Sequence, residues 1–517
     1  MSKKKAAKPA PRPKAAGKAG KPKRRRGYDG ARSDRLTADW ATPSTPADGF
    51  SGSLQVLRNR SRDLARNFDI VNGLYTTMPN NIIGTGMTFQ AKVLKGDGQK
   101  DLDDKLNARI EEEFRWWCEA RNCHTGGQLS FADIEYIIWR SVIEAGEIFV
   151  RFIPQAFGES QIPLGLEILE AEQLAEDYFV AAKDGQNAIF NGIEMDQWGR
   201  PVAYWFWPNN PSDWRMVRSA TGLKAFRVPA NEVLHIYRSL RPNQHRGVPW
   251  LYCSLITMQH IRRYIEGEVV AARLQNAIAG FIKRPESELP PNPNDEDDLN
   301  DEQNLEDIAP GAIEYLNPGE DFVGFAPNRP NSDAVAFIQE MQRGLSAGQG
   351  ISFEGVSRNF SQTNYSSARA AKREEERTYK IHQAASIQQL ETRVYKKWLD
   401  FAVLSGVVSI PKYELRKRFY QRHIWRPQGW DWVDPEKDIK ASILALRAGL
   451  TSYSDVLGDR GQDVEEVWEM LAHETALAEK LNITLDNSLS GPGQSPDAPA
   501  AEKKRLVLPG TKEWRAG

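Results

Sequence analysis

The sequence predicts an α+β protein, and three observations carry that reading. Residues 164–237 are dense in strand-like alternation and turn signals. Two long stretches, from Arg246 to about Gly280 and from Ser366 or Ser367 to about Leu404, repeat apolar residues at helical spacing. Between two helical patterns stands a polar segment, Ile351 to about Tyr365, with no apolar stripe of its own. At 517 residues and 40% apolar content the chain is long enough for about three domains, each with a core.

Charge is distributed unevenly. The formal net charge is −1, yet residues 1–26 hold twelve Lys and Arg and no acid, which leaves the rest of the chain at −13. An acidic body is a poor tight binder of duplex DNA, because phosphate neutralisation requires clustered Lys and Arg. Three cysteines, Cys118, Cys123 and Cys253, are too few and too odd in number for a disulfide framework. Cys118-x4-Cys123-His124 is at most half of a zinc site, so the thiols are expected to be buried or incidental. No apolar run reaches membrane-spanning length. The N-terminal charges lead into no apolar core of the kind a secretory signal has.

Taken in order, residues 1–52 form a basic tail, Lys/Pro/Ala/Gly-rich and then Ser/Thr/Pro-rich, and are expected to be disordered. Folding begins near Ser53 with a helix carrying Leu54, Leu57, Leu64 and Phe68. Asn81, Gly84 and Gly86 follow, and the glycines read as turn residues, since no phosphate-binding Gly-Lys-Ser/Thr occurs anywhere. A helix with Ile110, Phe114, Trp117 and Cys118 is followed by one with Ile134, Ile137, Ile138, Val142 and Ile143. Gly146 stops the latter, and Ile148–Ile153 reads as a strand. His235 lies in the strand-like EVLHIY and reads as a packed core residue. Glu144, Glu147, Glu167 and Glu170 are the candidate paired carboxylates, but nothing in the pattern separates them from ordinary surface acids.

Pro249 is well placed for the first turn of a long helix bearing Leu255, Met258, Ile265, Val269 and Ala272 on one face. Between Glu286 and Asp307 there are ten acids, no Lys or Arg, and prolines that forbid a continuous helix, so the segment reads as a solvated linker. The spacing of a calcium loop is absent. Two short strands, AIEYL and DFVGF, close this stretch. A helix capped by Asn331 or Ser332 carries Ala334, Ile338, Met341 and Leu345 until Gly344, Gly348 and Gly350 end its pattern. After the polar segment, Lys372–Glu376 and Glu376–Lys380 support a long helix, and Ile387, Leu390, Val394, Trp398 and Phe401 form its buried face. The aromatics of 424–435 are expected to anchor a chain reversal in the core. Ile439, Ile443, Leu446 and Leu450 form a helix ending at Gly449, and Asp463 to Glu466 starts another that runs to about Leu481.

Several of these segments together resemble one family. Arg62, Asp63, Arg66 and Asn67 followed by Asn81, Gly84 and Gly86 look like the opening motif of lambda-family phage portal proteins. Arg358-Asn359-Phe360 followed by Thr363-Asn364-Tyr365-Ser366-Ser367-Ala368-Arg369 looks like that family's loop-to-helix junction. Trp425 to Pro435, and then Gly449, Ser452, Gly461, Asp463 and Glu474, match its later segments. The resemblance spans about residues 53–482.

It implies a portal-type fold with an α/β wing at 53–247, a first stem helix at 248–282, an inserted clip at 283–330 and a second stem helix at 331–350. A tunnel loop at 351–366 follows, then a long helix and return to the wing at 367–435, a helical crown at 436–482 and a disordered tail at 483–517. It further implies a ring of about twelve copies with closed symmetry, placed at one capsid vertex of the virion and made in the bacterial host cytoplasm. Double-stranded DNA would pass through the ring without sequence recognition. Arg358, Asn359, Gln362, Asn364, Tyr365 and Arg369 would face it. The implied partners are the terminase large subunit, head-completion or adaptor proteins, and the major capsid and scaffold proteins, with no membrane, cofactor, metal or catalytic residue. The competing expectations are a metal-dependent nuclease, which would need a carboxylate constellation, and a capsid scaffold with a basic DNA-binding tail.

Overall fold

The structure, a computed structural model, describes residues 51–96, 101–183, 186–208, 224–277, 280–283, 321–324, 333–361, 363–430 and 434–481. Both terminal tails, the ten-acid segment and the AIEYL strand therefore lie outside the described residues.

Helices α1 (Ser51–Asn67) and α2 (Asp69–Ile82) open the fold. Leu54, Leu64 and Phe68 are buried at the expected spacing, and α2 buries Val71, Leu74, Tyr75, Met78 and Ile82. Gly84 and Gly86 then adopt positive φ, as turn residues. Strand β1 (Thr88–Ala91) leads to α3 (Asp104–Trp117), where the Asp103 side chain accepts from the Leu106 N–H at 3.2 Å. Helix α4 (Phe131–Ala145) starts with a reciprocal Ser130–Asp133 capping box. Strand β2 (Glu147–Ile153) follows directly.

Strand β2 is central. It pairs antiparallel on one edge with β3 (Gly165–Glu170) and on the other with β8 (Val233–Tyr237), so that Val150 opposes both Ile168 and Leu234. Its alternation feeds two cores. Ile148, Val150 and Phe152 pack into the main core with α2, α3 and α4. Phe149 points the other way, against Leu169, Tyr204, Phe206 and Val233. That second core is closed by a four-stranded antiparallel sheet in the order β4 (Ala188–Phe190), β5 (Ile193–Met195), β6 (Pro201–Phe206), β7 (Phe226–Pro229).

Helix α5 (Leu255–Ala277) begins later than Pro249 suggests, because residues 251–254 form turns first. Leu255, Met258 and Ile261 are buried, whereas Val269 is 45% exposed, so the helix leaves the core after its second turn. Strands β9 (Gly280–Lys283) and β10 (Asp321–Gly324) pair antiparallel, which fits the expected DFVGF strand. Helix α6 (Ala334–Gln349) runs straight through Gly344 and Gly348. A glycine inside a helix costs only about 1 kcal/mol, and burial of Leu345, Ser346 and Gln349 on that same stretch opposes the loss.

After α7 (Phe353–Ser357), the expected long helix is two, α8 (Tyr365–Gln389) and α9 (Glu391–Leu404), broken at the buried Leu390. Val394, Tyr395, Trp398 and Leu399 drive α9 into the main core beside Phe114, whose ring lies 4.9 Å from that of Trp398. Strand β11 (His423–Arg426) pairs with β1 and buries Trp425 5.1 Å from Phe89, the core anchor expected there. Three helices complete the described chain: α10 (Pro435–Arg447), α11 (Tyr453–Gly458) and α12 (Val464–Lys480), capped by Asp434, Ser452 and Asp463.

One carboxylate corrects the sequence reading. Glu147 is no surface acid: its side chain is 0% exposed. Arg246 Nε donates to both of its oxygens at 2.9 and 3.1 Å, and Arg246 Nη2 makes a further short contact. The Gly247 N–H donates at 2.8 Å and His235 Nε2 at 3.0 Å. Arg58 Nη1 from α1 lies 3.6 Å away. Glu176 bridges Arg58 and Arg246, and Glu172 bridges Arg58 and Arg62. Burial opposes the Glu147 charge, but Arg246 and the His235 bond outweigh it and hold the carboxyl far below the usual range. Burial pushes His235 down, so the ring is neutral and its contact with Glu147 is a hydrogen bond rather than an ion pair. Gly146, at φ +96°, makes the approach possible, since a Cβ there would lie 2.4 Å from the Val248 carbonyl carbon.

Replacing Glu147 with Gln removes the fully buried carboxylate of the cluster and leaves Arg246 with Glu176 alone and Arg58 with Glu172 and Glu176. We expect a loss of about 3–5 kcal/mol at neutral pH, read from urea unfolding midpoints. Because the folded carboxyl is depressed, its contribution is present above the ordinary value of 4.5 and disappears as pH falls through the folded value. The variant and wild type should therefore converge in strong acid.

Candidate functional site

The segment between α6 and α8 is built, not loose. Gly350 ends α6 in the left-handed conformation, φ +67°, and its carbonyl accepts from Thr378 Oγ1 of α8 at 3.1 Å. Ser352 caps α7 by accepting from the Gly355 N–H at 2.9 Å, while its own N–H donates to Glu375 of α8 at 2.6 Å. The sequence showed no stripe here because α7 is five residues long and buries Val356 alone. Arg358 ends it in the left-handed region, φ +56°.

The six sequence-predicted residues are placed as follows. Arg358 is exposed, and its Nη2 donates to Thr77 Oγ1 of α2 at 2.6 Å. Asn359 is half-buried and its Oδ1 accepts from the N–H and hydroxyl of Ser361 at 3.0 and 2.7 Å. Asn364 is the N-cap of α8, accepting from the Ser367 N–H at 2.9 Å. Arg369, one turn into α8, is held by Asp438 of α10. Gln362 lies outside the described residues, and for Tyr365 the backbone alone is described, as the first residue of α8. The backbone thus brings Arg358, Asn359 and Asn364 to one turn, while Arg369 is turned toward the C-terminal helices. Among the described residues Arg358 has this one bond to a hydroxyl and no ion pair, with further N–H groups to donate. Asp438 neutralises Arg369.

Sequence reasoning missed what fixes α8. At its end Ser386 Oγ receives Trp139 Nε1–H of α4 at 2.7 Å and donates to Glu391 Oε1 at 2.6 Å. Glu391 and Glu135 of α4 are both fully buried and within hydrogen-bonding reach of each other. Glu135 also accepts from the Met87 N–H at 3.1 Å. Two carboxyls in contact away from water must share a proton. Burial, then the charge of Glu391, pushes Glu135 well above the carboxylate range. Burial pushes Glu391 up to about 7, against the Ser386 bond. The pair sits at the α8–α9 break and clamps it to α4.

Elsewhere the titratable groups are structural. Cys123 donates to the carbonyls of Cys118 and Leu129, and burial pushes its thiol up to about 12. Among the described residues no three of His, Cys, Asp and Glu are placed to hold a metal, and no helix is long and apolar enough to cross a membrane.

Comparison with known proteins places these segments in context. The family described as phage portal protein, lambda family, matches residues 33–383. A probable portal protein of Halomonas phage phiHAP-1 is 28% identical over 464 residues, covering 88% of this chain and 87% of that protein. Portal protein B of Escherichia phage lambda is 28% identical over 172 residues, 32% of either chain. A chain in the neck of an empty gene transfer agent particle, solved with C6 symmetry, aligns with 78% of this chain and 93% of its own at 12% identity and a TM-score of 0.44.

Two outcomes follow from the anchoring of α8. Asn364→Ala should lower stability by about 1 kcal/mol, and Asn364→Ser, which keeps a cap acceptor, should cost far less; urea midpoints decide. The carboxyl pair has the opposite pH sign to Glu147. Its stability contribution is full below 4.5 and is lost as pH rises through about 7. Glu391→Gln lets an amide donate to Glu135 permanently. It should raise the unfolding midpoint at pH 8 relative to wild type, with little gain at pH 4.5.

Proposed function

The chain belongs to the lambda family of phage portal proteins, and from that premise we propose that copies of it close into a ring through which duplex DNA enters and leaves the phage head. The observation that carries this reading is the family match across 33–383, extended by a relative similar along most of its length. Proteins of this family are structural components. Subunit contacts in such a ring are heterologous and must close, and the family resemblance implies about twelve copies. Residues 53–247 act as the wing, 248–282 and 331–350 as the stem, 283–330 as the clip and 436–482 as the crown. The ring docks the terminase large subunit during packaging and head-completion or adaptor proteins afterwards, among the major capsid and scaffold proteins.

The segment 351–366 faces the DNA. What supports this is its chemistry and its rigidity. It projects amides and hydroxyls, which bond phosphate oxygens without reading sequence, from a turn tied to α2 and α8. Arg358 supplies one positive charge per subunit. Asn359, Gln362, Asn364 and Tyr365 supply polar contacts, and Arg369, already paired, contributes least. The body at −13 keeps DNA from binding tightly elsewhere, so the grip is weak enough for sliding.

Purified protein should form closed rings in negative-stain images. Heads assembled with Arg358→Ala, Asn359→Ala, Gln362→Ala and Asn364→Ser combined should show intact rings and less packaged or retained DNA. Serine is chosen at 364 so that the α8 cap survives. A monomer at high concentration and low salt would defeat the ring. Normal packaging by the variant heads would remove the segment from the mechanism and leave the ring standing.

A further inference from the structure

The C-terminal end of α9 and the chain that follows it form a basic surface on an acidic protein. Residues 405–422 carry Lys412, Arg416, Lys417, Arg418 and Arg422 against one acid, Glu414, in a chain that beyond its N-terminal tail stands at −13. Lys417 reaches both Glu414 at 3.2 Å and Asp400 at 3.3 Å. Lys396, Lys412, Arg418 and Arg422 are exposed. Lys396 stands near His423, whose pKa is lowered by burial and then by the Lys396 charge, against the bond its Nδ1 donates to the Gln421 carbonyl at 2.6 Å.

The surface is held rigid from beneath. Asp400 of α9 accepts from Tyr413 Oη at 2.7 Å and from Gln421 Nε2 at 3.2 Å, and Gln421 also donates to Tyr413 Oη at 3.0 Å. Tyr413 is buried. A backbone fixed in this way loses little further freedom when it meets a partner. Among the cations stand apolar side chains with nothing over them. Leu404 is 79% exposed and Leu415 is 81% exposed. Phe419 lies half-buried beside them with the Arg422 guanidinium 5.3 Å above its ring.

We propose that this surface, Lys396 with Lys412–Arg422, is a docking site for an acidic segment of another protein, one that carries apolar side chains among its carboxylates. Charge complementarity selects an anion. The two exposed leucines select a protein over a nucleic acid, because a phosphodiester backbone presents charge and no apolar counterpart to a leucine. The site lies apart from the DNA-facing segment and does not depend on the ring reading.

The test uses the full chain and a fluorescent synthetic peptide with Asp and Glu on one helical face and Leu at helical spacing on the other. Arg418→Glu with Arg422→Glu should weaken binding at least about tenfold, as charge reversal does where like charges meet. Leu404→Ser with Leu415→Ser should weaken it measurably, as should Ser for Leu in the peptide. All four residues are exposed, so circular dichroism and urea midpoints should match wild type. The basic N-terminal tail also attracts anions but is the same in every variant, so the readout is the difference between variants. Equal binding by wild type and the charge-reversed variant overturns the proposal. So does a duplex DNA probe whose binding falls with charge reversal, ignores the leucine changes and displaces the peptide, since the surface would then be a nucleic-acid contact.

Discussion

Glu147 is the point on which the rest of the described fold turns. A carboxylate with no exposure is tolerable only if it is fully bonded and matched in charge. Here that requirement reaches across the chain to Arg58 in α1, His235 in β8, and Arg246 and Gly247 in the lead-in to α5. Satisfying one side chain therefore fixes where α1 lies on the sheet and where α5 begins. A buried ion pair is seldom a net gain over apolar packing. Its effect is specificity, because an arrangement that separated Arg246 from Glu147 would leave a buried carboxylate without its main partner.

The same logic works in reverse at the α8–α9 break. Glu135 and Glu391 carry like charge, so the pair is content only when it keeps a proton. Around it, Trp139, Ser386 and Met87 supply oriented donors, and Leu390 fills the core at the break. The long helix that carries Arg369 and is capped by Asn364 is thereby pinned at its far end to α4. At its near end it is pinned through Glu375 and Thr378 to α7 and Gly350. The turn between α7 and α8 is polar, yet it hangs from a frame with little freedom, which suits the DNA contact proposed for it.

Charge is partitioned along the chain. The tail of 1–26 is strongly basic, the body is acidic, and within the body the 396–422 stretch carries more cations than acids. In the proposed function, a body that repels phosphate would contact DNA weakly through the arginine of the turn. The proposed protein partner would instead meet a local patch of opposite sign to the body.

Much of the architecture was legible locally. The stripes of α1, α3, α4 and α9, the helix start at Asp463 and the stop at Gly146 are set by neighbours three or four residues away, and periodicity reports such neighbours directly. The segment motifs pointed to the family before any coordinates. Local pattern failed wherever the deciding partner was distant. Glu147 looks like any acid until Arg58, 89 residues earlier, and Arg246, 99 residues later, are brought to it. The passage of α6 through Gly344 and Gly348, the late start of α5, the break at Leu390 and the existence of α7 all depend on what those residues pack against. The sequence determined the longer helices and the strands of the sheets, and which of their faces were apolar. Tertiary structure alone decided which charges are buried, because desolvation is a property of the whole fold around a group and not of its neighbours in the chain.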